Sequence, residues 1–192
     1  MSTELDFIRG YNLGAVRGER ILFGSLGVTL KSKDIVFLRG QNGAGKTTLL
    51  RQLAGLSQPQ SGHIQRNKSH HWIGHTNGLK AHETPRKHLQ HWARVWGSSA
   101  NIDLVLKLMG LERPADVPVA LLSAGQKRRT ALSRLFLSDR EIWLLDEPFN
   151  ALDTDGQSIL ADMIKQHSKS GGAVIAALHG DAPIKANLEI VL

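Results

Sequence analysis

Short runs apolar without interruption stand at Ile35-Val36-Phe37-Leu38, Ile142-Trp143-Leu144-Leu145 and Ala173 to Leu178. Such runs, bounded by turn residues and too short for helices, predict strands buried on both faces, as in a parallel sheet. Leu188 to Leu192 predicts a further, terminal strand. Between these runs the period changes to that of a helix. Thr48 to Leu53 opens a helix directly after the first strand. Residues 83–97 place Leu89, Trp92, Ala93 and Trp96 on one face, with Pro85 in the first turn. Residues 101–110 place Ile102, Val105, Leu106 and Met109 on one face, behind Asn101 as N-cap. Residues 123–138 and 155–169 predict two more helices. The first turns Ala131, Leu132, Leu135 and Phe136 inward, the second Ile159, Leu160, Met163 and Ile164. Strands alternating with helices predict an α/β protein around a largely parallel sheet.

The N-terminal third reads differently. Residues 3–9 and 21–30 predict strands, the second broken by Gly24 and Gly27, with a hairpin turn between Gly14 and Arg20. His63-Ile64-Gln65 and His71 to Gly74 predict two short strands. Residues 79–121 then form a helical insertion between strands of the main sheet. With the start of the next helix, this helical subdomain reaches about residue 130 of a single domain spanning residues 1–192.

Composition narrows the class. The chain has 192 residues, enough for a sizeable core, and no cysteine, which excludes disulfides and thiolate metal sites. No run reaches the roughly 18 apolar residues of a membrane span. MSTELDFIRG lacks a signal-peptide pattern, so export is not expected and a membrane role requires a partner. The formal charge is +7, with the densest basic run at Lys127-Arg128-Arg129. The basic residues are scattered and no aromatic-interleaved stripe accompanies them. They read as a solvated face, and no nucleic-acid partner is expected. Of nine histidines, His63, His70, His71, His75, His82, His88 and His91 crowd one stretch. They read as structural or solvated, since no ligand pairing or pocket pattern accompanies them.

Gly40-Gln41-Asn42-Gly43-Ala44-Gly45-Lys46-Thr47-Thr48 fits the phosphate-loop pattern, and it stands between a predicted strand and a predicted helix. A polyphosphate needs backbone N–H groups aimed at it from a tight loop. Gly43 and Gly45 permit that backbone, and the helix N-terminus adds its positive dipole end. Lys46 is placed to reach the β- and γ-phosphates, and the Thr47 hydroxyl to ligate Mg²⁺. The strand Ile142 to Leu145 ends in Asp146-Glu147. A carboxylate at a strand end can hold Mg²⁺ through its water shell, which suits Asp146, and a second can polarise attacking water, which suits Glu147. Ser123 and Gly125 begin a predicted helix and so offer a second anion site.

Leu122-Ser123-Ala124-Gly125-Gln126 just upstream of WLLDEP, Asn150-Ala151-Leu152-Asp153 downstream, and His179 after an apolar strand complete an ordered set. By these motifs the chain resembles the nucleotide-binding subunits of ABC transporters. The resemblance implies a phosphate-loop NTPase with an ABC-type core, an antiparallel β subdomain and a helical insertion. It further implies ATP and Mg²⁺, catalytic roles for Lys46, Glu147 and His179, and a head-to-tail homodimer. In that dimer Ser123, Ala124, Gly125, Gln126 and Asp153 complete the partner's nucleotide site. Departures from the family pattern are specific: Ala124 replaces a glycine, and Thr76 stands where a glutamine is expected. Lys33-Asp34 replaces a Gly-Glu turn, and Arg17 stands near the position of the aromatic that stacks on adenine, where its guanidinium plane can stack instead.

LSAGQKRRTALSRLFL, WLLDEPFNALD and WIGHTNGLK are also similar to the ATP-binding subunits of cytochrome c maturation, or haem export, systems. That likeness implies a subunit peripheral to the cytoplasmic face of the inner membrane, bound to integral membrane permease subunits. Whether haem is moved or a haem-carrying chaperone is released stays open. The alternatives are a soluble ABC-class ATPase acting on nucleic acid or the ribosome, and a weakly active scaffold cassette. The span from Lys46 to Asp146 leaves no room for the long coiled coil of DNA-repair members, and Lys46, Asp146, Glu147 and His179 together argue for catalysis.

Overall fold

The computed structural model describes residues 5–192. In chain order the elements are β1 (Ile8–Arg17), β2 (Arg20–Leu30), β3 (Ile35–Arg39), α1 (Lys46–Leu53), β4 (Ser61–Arg66), β5 (His70–Ile73), α2 (Pro85–Val95), α3 (Ile102–Leu108), α4 (Ala124–Leu132), β6 (Ile142–Asp146), α5 (Thr154–Lys169), β7 (Ala173–Ala177) and β8 (Leu188–Val191). They fall into two compact bodies. The first comprises the residues up to Trp72, Arg140–Glu147 and Met163–Leu192; the second comprises Ile73–Asp139 and Pro148–Asp162.

The described residues form two sheets. One has five strands in the order β5-β6-β7-β3-β8, and the other has three in the order β2-β1-β4. In the five-stranded sheet β6, β7, β3 and β8 run parallel. The uninterrupted apolar runs are its central strands: every residue of β6 and β7 is buried, as are Val36, Phe37 and Leu38 of β3. Strand β8, at the sheet edge, is largely exposed. The core beneath joins Leu38, Leu49, Leu50, Leu53, Leu144 and Ile175 to Ile8, Leu13 and Leu30 of the smaller sheet.

That smaller sheet is antiparallel and departs from the expected strand limits. Strand β1 runs from Ile8 to Arg17 rather than over residues 3–9; residues 3 and 4 lie outside the described residues. The turn to β2 is the two residues Gly18-Glu19, flanked by the Arg17–Arg20 pair, and Gly18 takes φ +60 as such a turn requires. Gly14, expected in the turn, is instead an interior strand residue. A Cβ there would lie 2.4 Å from Ser61 Oγ, so this glycine serves close strand approach. Strand β2 runs unbroken through Gly24 and Gly27, with Ser25 at φ 52 absorbing the irregularity.

In the second body each helix begins on a cap that the sequence supplies. Thr84 accepts from the Lys87 N–H with Pro85 following, and Asn101 accepts from the Leu104 N–H. Ser123 and Gln126 form a reciprocal capping box. The helix expected over 123–138 ends earlier. α4 stops at Leu132 and tightens into a 3₁₀ turn over Ser133–Phe136. Here the Ser133 hydroxyl donates to the Arg129 carbonyl and Arg134 Nε to the Ala131 carbonyl, and such competition for helix carbonyls bends or ends a helix. Phe136 is only half-buried, whereas Ala131, Leu132 and Leu135 are buried as expected. In α5 Leu160, Met163 and Ile164 are buried and Ile159 is half-buried.

His88 is buried under α2, and its Nε2 has no hydrogen-bond partner. Burial, followed by the nearby Arg134 guanidinium, pushes its pKa down to about 4, opposed by Glu83 at 3.9 Å. A folded-state value below the unfolded one means that the unfolded chain takes up the proton first. His88 therefore favours folding above about pH 6.5, and that contribution is lost as pH falls from 6.5 to 4. The full loss is about 3 kcal/mol. Denaturant midpoints measured across this range are expected to fall more steeply for the wild type than for His88→Leu.

Candidate nucleotide site

The loop between β3 and α1 is shaped by its glycines. Gly43 and Gly45 hold positive φ values of 79 and 109, and a Cβ on Gly45 would meet the Phe23 ring at 3.0 Å. No side chain caps α1, so the loop leaves its first N–H groups to an incoming anion. Lys46 is buried, and its Nζ donates to the carbonyls of Gly40 at 2.7 Å and Gln41 at 3.0 Å. Its ammonium group is thus folded back across the loop. Gln41, Asn42 and Gly43 are exposed, and Ala44 donates its N–H to the Gln41 carbonyl at 3.2 Å.

Strand β6 delivers the carboxylates. Asp146 is buried, and the Thr47 hydroxyl lies 3.0 and 3.1 Å from its two oxygens. Glu147 follows at φ 50, a left-handed backbone that costs a non-glycine residue about 1–2 kcal/mol. The strain is held in place by the Glu147 N–H, which donates to the Ala177 carbonyl of β7 at 3.0 Å. It turns the carboxylate toward His179, whose Nε2 stands 2.9 Å from Glu147 Oε1. His179 comes from the segment after β7, which pairs beside β6, so two parallel strands bring the pair together.

Lys46, Thr47, Glu147 and His179 line one cleft of about 410 Å³. Its walls are Asn42, Gly43, residues 45–48, Glu147, His179, Arg17 and Leu22. Arg17 was anticipated here from its position before the loop. Leu22 was not: nothing in its own neighbourhood marks it, and only the β1–β2 hairpin carries it to the cleft wall. Tyr11, the only tyrosine, stacks on His63 at 4.6 Å instead.

The remaining predicted site residues belong to the second body. Ser123 Oγ accepts from the Gln126 N–H at 3.1 Å, and Gln126 Oε1 accepts from the Ser123 N–H at 3.0 Å. Ser123 and Ala124 are exposed at the start of α4. Gly125 sits against the Ala151 carbonyl, which a Cβ would approach to 2.9 Å. Asp153 accepts from the Gly156 N–H at 2.9 Å at the start of α5 and pairs with Arg129. The Gly156 N–H and then Arg129 hold its carboxyl below the usual range. Thr76 lines an open groove with Leu79, Val119, Ala120 and Lys127.

Residues 23–150 match the family model described as ABC transporter. The chain belongs to the ABC transporter ATP-binding family. It is 53% identical over 180 residues to the cytochrome c biogenesis ATP-binding export protein CcmA of Hyphomonas neptunium, covering 94% of this chain and 93% of that one. The proteins of the same name from Escherichia coli K12 and Haemophilus influenzae are 43% and 40% identical. The first alignment covers 85% of this chain and 84% of its relative, the second 90% and 88%. A solved chain from Pyrococcus furiosus superposes with a TM-score of 0.82 over 96% of both chains at 22% identity. An ATP-binding subunit of an ABC transporter superposes at 0.80 and 22% identity, over 90% of this chain and 79% of that one.

This ABC-type ATPase therefore has the cassette's fold, an α/β core with an added antiparallel sheet. No helix among the described residues is long and apolar enough to cross a membrane. The oxygen-only pair Thr47 and Asp146 suits a hard divalent cation such as Mg²⁺.

Proposed function

We propose that the chain is the ATP-hydrolysing subunit of a membrane-bound exporter complex acting in cytochrome c biogenesis. The observation that carries the chemistry is the convergence of Lys46, Thr47, Glu147 and His179 on one cleft, with the buried Asp146 3.0 Å from the Thr47 hydroxyl. In this reading the residues from Gly40 to Thr48 cradle the phosphates, with Lys46 leaving its loop carbonyls for the β- and γ-phosphate oxygens. Thr47 and Asp146 would hold Mg²⁺, which neutralises phosphate charge. Glu147 accepts a hydrogen bond from the attacking water and so orients it. His179 fixes the Glu147 carboxylate and supports charge developing on the γ-phosphate.

A second copy, placed head to tail, supplies Ser123, Ala124, Gly125, Gln126 and Asp153. The Ser123 oxygen already accepts from its own helix, so its O–H remains to donate to a phosphate, beside the N–H groups of the first turn. Closure of two copies on ATP and their release after hydrolysis turns chemistry into motion. The groove beside Thr76 suits an integral membrane subunit, which would hold the chain at the cytoplasmic face of the inner membrane. Affinity purification from solubilised membranes is the test. Recovery of integral subunits of cytochrome c maturation is expected, and recovery of ribosomes or nucleic acid in their place would contradict the reading.

The base end of the cleft offers Arg17 and Leu22. Aromatic stacking under a base is worth about 1–3 kcal/mol, against about 0.5–1 for an exposed guanidinium–π contact. Arg17→Tyr is accordingly expected to tighten ATP binding about fivefold, a gain of about 1 kcal/mol measurable by displacement of a fluorescent nucleotide.

A further inference from the structure

The proposed chemistry leaves Arg128 unused, although it sits in the densest basic run of the chain and is only 3% exposed. The run had read as a solvated face; at Arg128 the structure corrects that. Its Nη1 donates to the Gly74 carbonyl at 2.9 Å and to Asn77 Oδ1 at 3.1 Å, and its Nε to the Pro148 carbonyl at 3.3 Å. Three segments distant in sequence thus meet at one guanidinium. They are the loop 74–77, the helix α4 that Ser123 caps, and Pro148, which directly follows Glu147 in the chain.

A second arginine repeats the arrangement. Arg134 is buried, and its Nη2 donates to the Asn77 backbone carbonyl at 3.3 Å. Its pKa is pushed down to about 10, first by burial and then by the charge of Arg128. Two neighbouring cations out of water are an expensive way to hold a loop, and apolar side chains of similar volume would often stabilise a fold as well or better. What a guanidinium adds is direction: its donors lie in one rigid plane and fix the angles between the groups they bind.

We propose that Arg128 is a positioning residue for ATP hydrolysis. By fixing the Pro148 carbonyl to the loop 74–77 and to α4, it braces the residue that directly follows Glu147 in the chain. The inference rests on Glu147 orienting the attacking water. Thr76 and Asn77 line the open groove of the second body, so the loop that Arg128 holds also borders that surface.

The test is a comparison of Arg128→Met, Arg128→Lys and Asn77→Ala in the assembled membrane complex. ATP turnover and ATP affinity are measured separately and normalised to folded protein. A positioning role predicts that Arg128→Met lowers kcat about tenfold with ATP affinity unchanged. Arg128→Lys should recover part of kcat, and Asn77→Ala should lower kcat by a smaller factor, again with affinity intact. A merely structural role predicts reduced melting temperature with kcat per folded molecule unchanged, and that result would overturn the proposal. Should Arg128→Met not fold, wild-type kcat in both other variants would overturn it equally. Failure of the Glu147 reading shows separately, as wild-type turnover in Glu147→Gln.

Discussion

Glu147→Gln is expected to lower ATP turnover by about 100-fold or more, the usual scale for loss of a general base, while ATP affinity changes little. The substitution keeps the size of the side chain and its ability to accept a hydrogen bond through the amide oxygen. It removes the negative charge that orients and polarises water, and with it the charged partner of His179 at 2.9 Å. The backbone of Glu147 is secured by the Ala177 carbonyl independently of the side chain, so the left-handed turn at φ 50 should persist. Because the loop, Thr47 and Asp146 are untouched, nucleotide binding is retained and the defect falls on kcat. Rapid-quench measurement of phosphate release, beside equilibrium ATP binding, separates the two.

The second large effect is expected at Lys46. A charged hydrogen bond to phosphate contributes about 1.5–3 kcal/mol, and Lys46→Ala also removes the bonds that brace the Gly40 and Gln41 carbonyls. ATP affinity is expected to fall about 100-fold, and turnover at low ATP falls with it. Lys46→Arg is not a rescue. The cavity around a buried ammonium that reaches two carbonyls at 2.7 and 3.0 Å does not suit a planar guanidinium. Isothermal titration of ATP into both variants checks the prediction, and near wild-type affinity in Lys46→Ala would show that the loop amides alone grip the phosphates.

The strands most legible in the sequence were those buried on both faces. β3, β6 and β7 carry uninterrupted apolar runs, and no alternation is needed to recognise them. Helices α2 and α3 were legible from their period together with Pro85 and Asn101, which mark their first turns; the Thr84 cap of α2 emerged only in the structure. Strand β1 was not, since its pairing is interrupted by register shifts between Gly10 and Val16 and by Asn12 at φ 48, which break the alternation a half-buried strand would show. The partner of β4 was equally hidden. It is exposed along nearly its whole length, so no hydrophobic pattern says that it pairs with β1 rather than joining the larger sheet.

The same division holds at the site. The positions of Lys46, Thr47, Asp146 and Glu147 follow from motif spacing and strand ends, which are local. Leu22 reaches the cleft only through hairpin register, and Arg128 is buried only because two other segments bring carbonyls to it. Neither fact is local, so a basic run on a helix reads as solvated until those segments are placed around it.

In the proposed function the phosphate loop is half of an ATP site, completed by the first turn of α4 from a second copy. Light scattering of the Glu147→Gln chain with and without Mg²⁺ and ATP tests it most directly. The chain mass is 21.1 kDa, and addition of ATP is expected to double the observed mass, with Ser123→Arg in the same chain preventing the change. A mass that stays at 21.1 kDa under saturating ATP, with binding confirmed in the same sample, would contradict the claim.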